Sequence, residues 1–416
     1  MAQAIHARLN AALDTGPTPA AQAARARVPE ATFEDIRFTV HEDLASLANE
    51  WQAFEREADG TVFQTCEWLS CWQRHVGALR QVRPAIVVGR DGDGLLFLLP
   101  LAVRRAGLAR TLEWLGSDLC DYNGPLLAPR FAERVDAARF LKLWAAIARC
   151  LQGEAHFAYD VVRLTKMPDR VGGQVNPLLA LGVTEHPSRA YLTQLAGTWE
   201  QFYAAKRSSS TRRRDRTKRK RLGDLGEVRL VTPQADDEIV RTLYVLMAQK
   251  ARSFARMGVA NLFANPGYAE FYRALATDAA SRKLTHVSRL DVGDTAAAIN
   301  LGLVHRGRYY HLLASYDDGE VSRFGPGAAH LHDLMQYAIE HGCNVFDFTI
   351  GDETYKRDWS DTVLTLHDHV AAATLRGALV ALPLSAAQRL KRWIKQTPVL
   401  WAVAARVRTL LGALRR

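Results

Sequence analysis

Little in this 416-residue chain invites a metal, a disulfide or a membrane span. Its five cysteines (Cys66, Cys71, Cys120, Cys150, Cys343) are odd in number and form no CxxC pair, so neither a disulfide framework nor a zinc site is expected. No uncharged apolar run reaches the length of about 18 residues that a spanning helix needs. The N-terminus shows no cationic run ahead of an apolar core, so no signal peptide is read and a cytoplasmic protein is expected. HExxH, GxSxG and GxxxxGK[ST] are all absent, which removes the commonest zinc protease, serine hydrolase and P-loop readings. Thirteen histidines do not change this. His330 and His332 point to different sides of a helix, and His367 and His369 would share a strand face with no third ligand, so no metal is expected.

The net charge of +10 is local rather than global. Lys206 to Arg221 carries ten Lys or Arg against one acid, and residues 371–416 carry nine against none, so the remainder of the chain sums to −8. The first run has cations on every side of a helix, which is a solvated or anion-contacting pattern and not a core one. No aromatic residue lies between Tyr203 and Tyr244, which disfavours base stacking, so a phosphate or an anionic glycan ranks above RNA as its partner.

The length suits two to three domains of roughly 150 residues, and 48% hydrophobic content is ample for packed cores. Residues 1–30, with Thr15-Gly16-Pro17-Thr18-Pro19, read as a flexible leader. Residues 31–188 alternate strands and helices around a meander, and residues 189–373 repeat that order. In the second unit a basic helix is expected over Trp199 to Leu222, and three strands over Thr285 to Leu290, Thr295 to Val304 and Tyr309 to Tyr316. The fold class is therefore α/β with mixed sheets, and a tandem duplication is expected. Residues 374–416 form a basic, apolar tail that Pro383 and Pro398 should break into short amphipathic helices, packed on the body or lying on an anionic membrane face.

The densest signal is Tyr309 to Asp358. Arg323-Phe324-Gly325-Pro326-Gly327-Ala328 places glycines at the mouth of a helix, where unpaired N–H groups and the helix dipole favour an anion. Pro326 suits the first turn, Leu331, Leu334, Met335, Ala338 and Ile339 form one stripe, and Gly342 ends the helix. In the following strand Phe346, Phe348 and Ile350 are expected on one face and Asp347 on the other.

A meander that feeds a glycine turn, a helix and a strand resembles the core of the GNAT acetyltransferase fold. That superfamily's turn reads Q/R-x-x-G-x-G/A: Gly325 and Gly327 match its glycines, Ser322 stands where the basic residue is expected, and Arg323 lies one position late. From about Arg212 to Phe348 the chain resembles the acetyltransferase domain of the cellulose-biosynthesis CelD/BcsL family, and the trailing Gly351 to Trp359 also matches it. The resemblance rests on the Arg-rich segment before Gly226-Glu227-Val228, on Tyr316-Asp317, on Phe346-Asp347-Phe348 and on a G-x-x-x-Y-K-x-x-W ending from Gly351 to Trp359. That family is related to the peptidoglycan-bridge aminoacyl ligases, which carry two GNAT-like halves.

The resemblance implies a tandem GNAT-like acyl-CoA N-acyltransferase fold, with acetyl-CoA or another acyl-CoA as co-substrate in the second half and an acceptor cleft shaped by the first. Leu313, Ser315, Arg323, Phe324, Gly325, Gly327 and Ala328 would then hold the acyl-CoA, and Arg212, Arg213 and Tyr316 would contact the acceptor. Asp317, Asp347 and Glu353 are the candidate bases, Tyr355 the acid for the departing thiolate, and Lys356 a catalytic or orienting cation. The plainer reading of each is a turn-shaping, loop-bonded or salt-bridging side chain. The function implied is acyl transfer to an amine or hydroxyl of a sugar or of an envelope or exopolysaccharide precursor. Two alternatives stand beside it: a ligase using charged tRNA, and a non-catalytic membrane-peripheral assembly factor.

Overall fold

The computed structural model describes residues 28–397. Two mixed sheets dominate them. In the first half, β1 (Glu30–Phe33), β2 (Ile36–His41), β3 (Arg83–Asp91), β4 (Gly94–Ala106) and β5 (Ala109–Trp114) form an antiparallel meander, with α1 (Leu44–Glu55) and α2 (Cys66–Trp72) inserted after β2. A crossover helix, α3 (Ala137–Gly153), then returns the chain as β6 (Val161–Pro168), parallel to β5. The two-residue β7 (Thr184–Glu185) closes this half.

The second half repeats the plan. β8 (Ala190–Gln194) is followed by α4 (Trp199–Lys206), α5 (Ser209–Gly223), β9 (Val228–Val231), α6 (Asp236–Arg256) and α7 (Tyr268–Thr277). The meander β10 (Thr285–Val292), β11 (Thr295–His305) and β12 (Arg308–Tyr316) feeds the crossover helix α8 (Pro326–Glu340) and the parallel strand β13 (Val345–Ile350). α9 (Thr354–Trp359), β14 (Thr362–Leu364), β15 (Leu366–Ala372) and α10 (Leu375–Gln396) complete the described chain. The basic helix expected in one piece is two, because Ser208 leaves the helix and caps α5 through the Thr211 N–H.

One strand crosses between the halves. β15, which the sequence order assigns to the second half, pairs with β6 and β7 in the first sheet, while β8 lies between β13 and β14 in the second. One apolar core runs through both halves: the Trp68 ring meets Phe271 edge-on at 5.0 Å, and Phe63 meets Tyr310 at 5.8 Å. α10 also departs from expectation. It is continuous through Pro383, whose missing bond to the Leu379 carbonyl falls on the exposed side, where water can take it.

Candidate active site

The site begins as a gap between two strands. β12 and β13 pair over only three positions, Arg308↔Val345, Tyr309↔Phe346 and Tyr310↔Asp347. Past Tyr310 one extra residue enters β12, since Tyr310 sits opposite Leu303 and Leu313 opposite Leu301, and such a bulge bends its strand. β13 turns the other way, toward β8, through Thr349 in the left-handed region at φ 59°. The edges so parted leave a notch. The Thr349 conformation also breaks the side-chain alternation: Phe346 and Phe348 pack on α8, whereas Ile350 packs with the other core, contrary to the shared face expected for all three.

Around the notch stand His311 of β12, Lys250 of α6, and Glu353, Tyr355 and Lys356 at the start of α9. The Tyr355 ring lies 6.4 Å from His311 and 6.3 Å from Phe348. Lys356 Nζ donates to the Ile350 carbonyl at 2.8 Å and pairs with Glu353 at 3.2 Å. Gly351, at φ 136°, makes this closeness feasible, because a Cβ there would come within 2.3 Å of a Glu353 oxygen and 2.8 Å of Lys356 Nζ. Burial, with Lys356 and Lys250 adding, pushes His311 down to about 3, so its imidazole is neutral at ordinary pH. Burial also lowers the Lys250 ammonium, Glu353 opposing and Lys356 reinforcing, and burial raises the Tyr355 hydroxyl.

The remaining predicted residues divide. Leu313 packs into the shared core, and Ser315 Oγ donates to Gln249 Oε1 of α6 at 2.7 Å. Asp317 is away from the notch: its carboxylate accepts the Gly319 N–H at 2.8 Å and pairs with Arg252 at 3.4 Å, shaping the turn. Asp347 is fully buried and faces the first half. It accepts the Tyr122 hydroxyl at 2.6 Å and the Thr349 N–H at 2.8 Å, and it pairs with Arg308 at 3.2 Å. Beside it the Asp121 carboxyl bonds Thr349 near Lys166 and Lys356, and burial raises it above the usual carboxylate range.

The glycine turn lies at the far end of β12. Gly325 takes the left-handed conformation, φ 66° and ψ 56°, and opens α8 without a side-chain cap. The N–H groups of Ala328 and Ala329 turn onto the Gly325 carbonyl and Pro326 has none, so of the first three helical residues Gly327 keeps a donor for an outside acceptor. Tyr316 leans over that glycine, 3.5 Å from where its Cβ would be. Phe324 is half-buried against a small core beneath the turn, and Arg323 is exposed. A cavity of about 240 Å³ adjoins the turn, walled by Trp199, Tyr203, Arg216, Lys218, Gly325 and His332. The cations brought to the turn are thus Arg216, Lys218 and Arg219, one helical turn beyond Arg212 and Arg213, which do not line it.

Residues 209–357 match the family described as an acetyltransferase (GNAT) domain. The second half carries a GNAT-type acetyltransferase domain. Among solved structures the whole chain is similar to FemX, at 12% identity and a TM-score of 0.54, covering 78% of this chain and 96% of that one. It is also similar to a conserved protein of unknown function from Bacteroides thetaiotaomicron VPI-5482, at 14% identity and a TM-score of 0.51, covering 80% and 99%. A tandem GNAT protein from the clavulanic acid biosynthesis pathway aligns at 11% identity and a TM-score of 0.44, covering 82% and 99%. No curated protein matches the chain. The architecture is a tandem GNAT-like fold, and the GNAT domain supports an acyltransferase and implies an acyl-CoA co-substrate. Among the described residues no cluster of metal-ligating side chains occurs.

Of the residues around the notch, the sequence pointed to Glu353, Tyr355 and Lys356 and not to His311, Lys250 or Asp121. His311 was hidden inside an apolar strand, Lys250 inside an amphipathic helix, and Asp121 in the other half of the chain. Only the local clustering of charge in Asp118-Leu119-Cys120-Asp121 hinted at the last.

Proposed function

We propose that the GNAT domain holds acyl-CoA with its pyrophosphate at the Gly325–Gly327 helix mouth and its thioester in the notch between β12 and β13. The observation that carries this reading is the coincidence, along one strand, of an uncapped glycine helix start and a parted parallel pair. Lys218 and Arg216 supply cations beside the turn that Arg323 was expected to supply. In the notch, the β12 edge past Tyr310 pairs with no part of β13, leaving backbone groups for the pantetheine arm and for the oxyanion of the tetrahedral intermediate. The nucleophile's proton goes to a carboxylate, Glu353 or the raised Asp121, and Tyr355 protonates the departing thiolate. Lys356, tied to Glu353, orients that centre. The acceptor is an amine or hydroxyl of a sugar or envelope precursor, as in the CelD/BcsL family the chain resembles. Saturating acetyl-CoA or a longer acyl-CoA should raise the thermal midpoint and, with acceptor, release free CoA thiol. A midpoint unmoved by every acyl-CoA tried would sink the reading.

A second reading, tRNA-dependent aminoacyl transfer, is favoured by α5, where Arg213, Arg214, Arg216, Lys218, Lys220 and Arg221 are all exposed. Retention of tRNA that falls steeply with salt would support it over a CoA-only enzyme.

The tail supports a peripheral place on an anionic membrane. α10 packs by Gly377, Ala381 and Gln388, and on the opposite side Leu375, Leu379, Leu382, Leu390 and Trp393 form one stripe, 53% to 92% exposed. Arg389 is exposed beside the stripe, and no acid occurs in residues 371–416 to repel an anionic surface. No helix among the described residues is long and apolar enough to cross a membrane. Sedimentation with phosphatidylglycerol vesicles should be lost in Leu379→Asp/Leu382→Asp. Equal sedimentation of that variant, or a stripe-dependent dimer without vesicle binding, would remove the membrane from the picture.

A further inference from the structure

The imidazole of His311 is tied down from behind. Asn300 of β11 is fully buried, and its amide has one workable orientation, because the Gly302 N–H at 2.9 Å can only donate and the Leu313 carbonyl at 3.2 Å can only accept. The amide oxygen therefore faces Gly302 and the Tyr309 hydroxyl, and the amide nitrogen faces Leu313 and, at 3.3 Å, His311 Nε2. An amide nitrogen has no lone pair to offer, so Nε2 must accept, and the proton of the His311 ring sits on Nδ1.

The rest of the chain of bonds runs in one direction. The Tyr309 hydroxyl donates to the Asn300 oxygen at 2.9 Å and accepts the His286 Nδ1–H at 2.9 Å. Tyr309 is fully buried and His286 is 4% exposed, and aligned hydrogen bonds in a low dielectric polarise one another. The burial that pushes His286 down to about 4 and His311 to about 3 keeps both rings neutral, as the bonding requires. Nδ1 of His311 is the free end. It meets no acceptor among the described residues, yet it is not shut from solvent, for the residue keeps 7% of its surface open. On that side stand the groups of the notch: the Tyr355 ring edge-on at 6.4 Å, and Lys356 and Lys250, which bear on the charge of the ring and cannot accept from it. The first half has no counterpart. There β5 and β6 part after three pairs, Thr111↔Val161 to Glu113↔Arg163, and the residue that follows the last pair is Trp114, whose Nε1 is shut from solvent.

We propose that His311 is a catalytic residue of the acyl transfer, its Nδ1–H donating to the thioester carbonyl oxygen and holding the oxyanion that forms there. This role rests on the acyl-CoA reading and deepens it. As the amine or hydroxyl of the acceptor bonds to the thioester carbon, the carbonyl π pair moves onto oxygen, where Nδ1–H meets it beside the backbone groups of β12. No proton leaves the ring. The pair returns as the C–S bond breaks, and the departing thiolate takes its proton from Tyr355. His311 is not the base, since one ring nitrogen holds a proton and Asn300 occupies the lone pair of the other. Asn300 and Tyr309 are positioning residues that fix the tautomer.

Nitrogen-15 spectra of the histidine-labelled protein read that tautomer without any variant. His311, assigned by the signals lost in His311→Gln, should carry its proton on Nδ1, and saturating acetyl-CoA should shift that nitrogen. With acetyl-CoA and water as the acceptor, kcat for release of CoA thiol should fall about 100-fold in His311→Phe at unchanged KM, and His311→Gln, which keeps an N–H donor, should recover part of it. The acid limb of the pH profile should persist in His311→Gln, because the base lies elsewhere. A proton on Nε2, full kcat in His311→Phe, or an acid limb that vanishes in His311→Gln overturns the proposal. A thermal midpoint that rises with acetyl-CoA while Nδ1 does not respond fails this role alone. A midpoint and an Nδ1 signal that both ignore every acyl-CoA fail the acyl-CoA reading, and the role falls with it.

Discussion

The two halves build the same parted strand pair and then close their crossover helices in opposite ways. In the first half, α3 opens on Asp136, whose carboxylate accepts the Arg139 N–H at 2.8 Å and fills the helix mouth with negative charge. In the second, α8 opens on Gly325 with no side-chain cap, beside the cations of α5. A mouth already occupied by a carboxylate has no use for a phosphate, and an uncapped one does. The strand pairs differ just as sharply. Arg163 of the first half stands where the second has Asp347, whose carboxylate accepts the Tyr122 hydroxyl. The two halves share one frame and differ in the residue that caps the crossover helix and in one strand position.

That contrast can be broken at four points. The largest effect is expected at Asp347, the acid that joins the halves: Asp347→Ala strands the half-buried Arg308 and the buried Tyr122 and should cost about 3 kcal/mol in a denaturant titration. A loss below 1 kcal/mol would mean that the halves do not depend on this contact. Next, Gly327→Trp fills the α8 mouth while its backbone stays helical, and kcat/KM for acyl-CoA should fall roughly 100-fold with a near-native thermal midpoint. Full activity in that variant would detach acyl-CoA from the mouth.

Acid should act on the second half first. His286, His305 and His332 are pushed down to about 4, and His311 and His330 to about 3, mainly by burial, and all five lie there. Because these folded-state values lie below the ordinary 6.5, the unfolded chain binds protons the folded chain refuses. Stability should therefore drop as pH falls from about 6.5 toward 4, by up to about 1.4 kcal/mol per pH unit for each histidine. The raised carboxyls of Asp121 and Asp347 work against this, since their folded forms take protons more readily. Thermal midpoints across that range, with a shallower slope in His311→Gln, check the sign. The smallest effect belongs to Asp136→Gly, which should cost a few tenths of a kcal/mol and gain no acyl-CoA binding, because uncapping a mouth without cations beside it does not make a phosphate site. Acquired binding would show that the cap alone separates the halves.

Much of this was legible in the sequence, and the limits were physical. The meander, the glycine turn and α8 are local, and local spacing revealed them, whereas the Gly351–Trp359 segment stood out only through its family resemblance. The face of Ile350 was not, because a single left-handed residue, Thr349, reverses alternation and threonine gives no warning of it. Pro383 was read as a break, yet a solvent-side position lets α10 continue. Tyr122 and Asp121 reach the second half across more than 220 residues, a contact that no periodicity encodes. Asp317 looked equivalent to the notch carboxylates until its turn claimed it.

The crossing strand has a consequence for how the chain is made. β6 finds its second neighbour only when Leu366–Ala372 is in place, so the first sheet keeps an open edge until the second half has been made. Synthesis begins with the first half, but its sheet is finished by the last strand described.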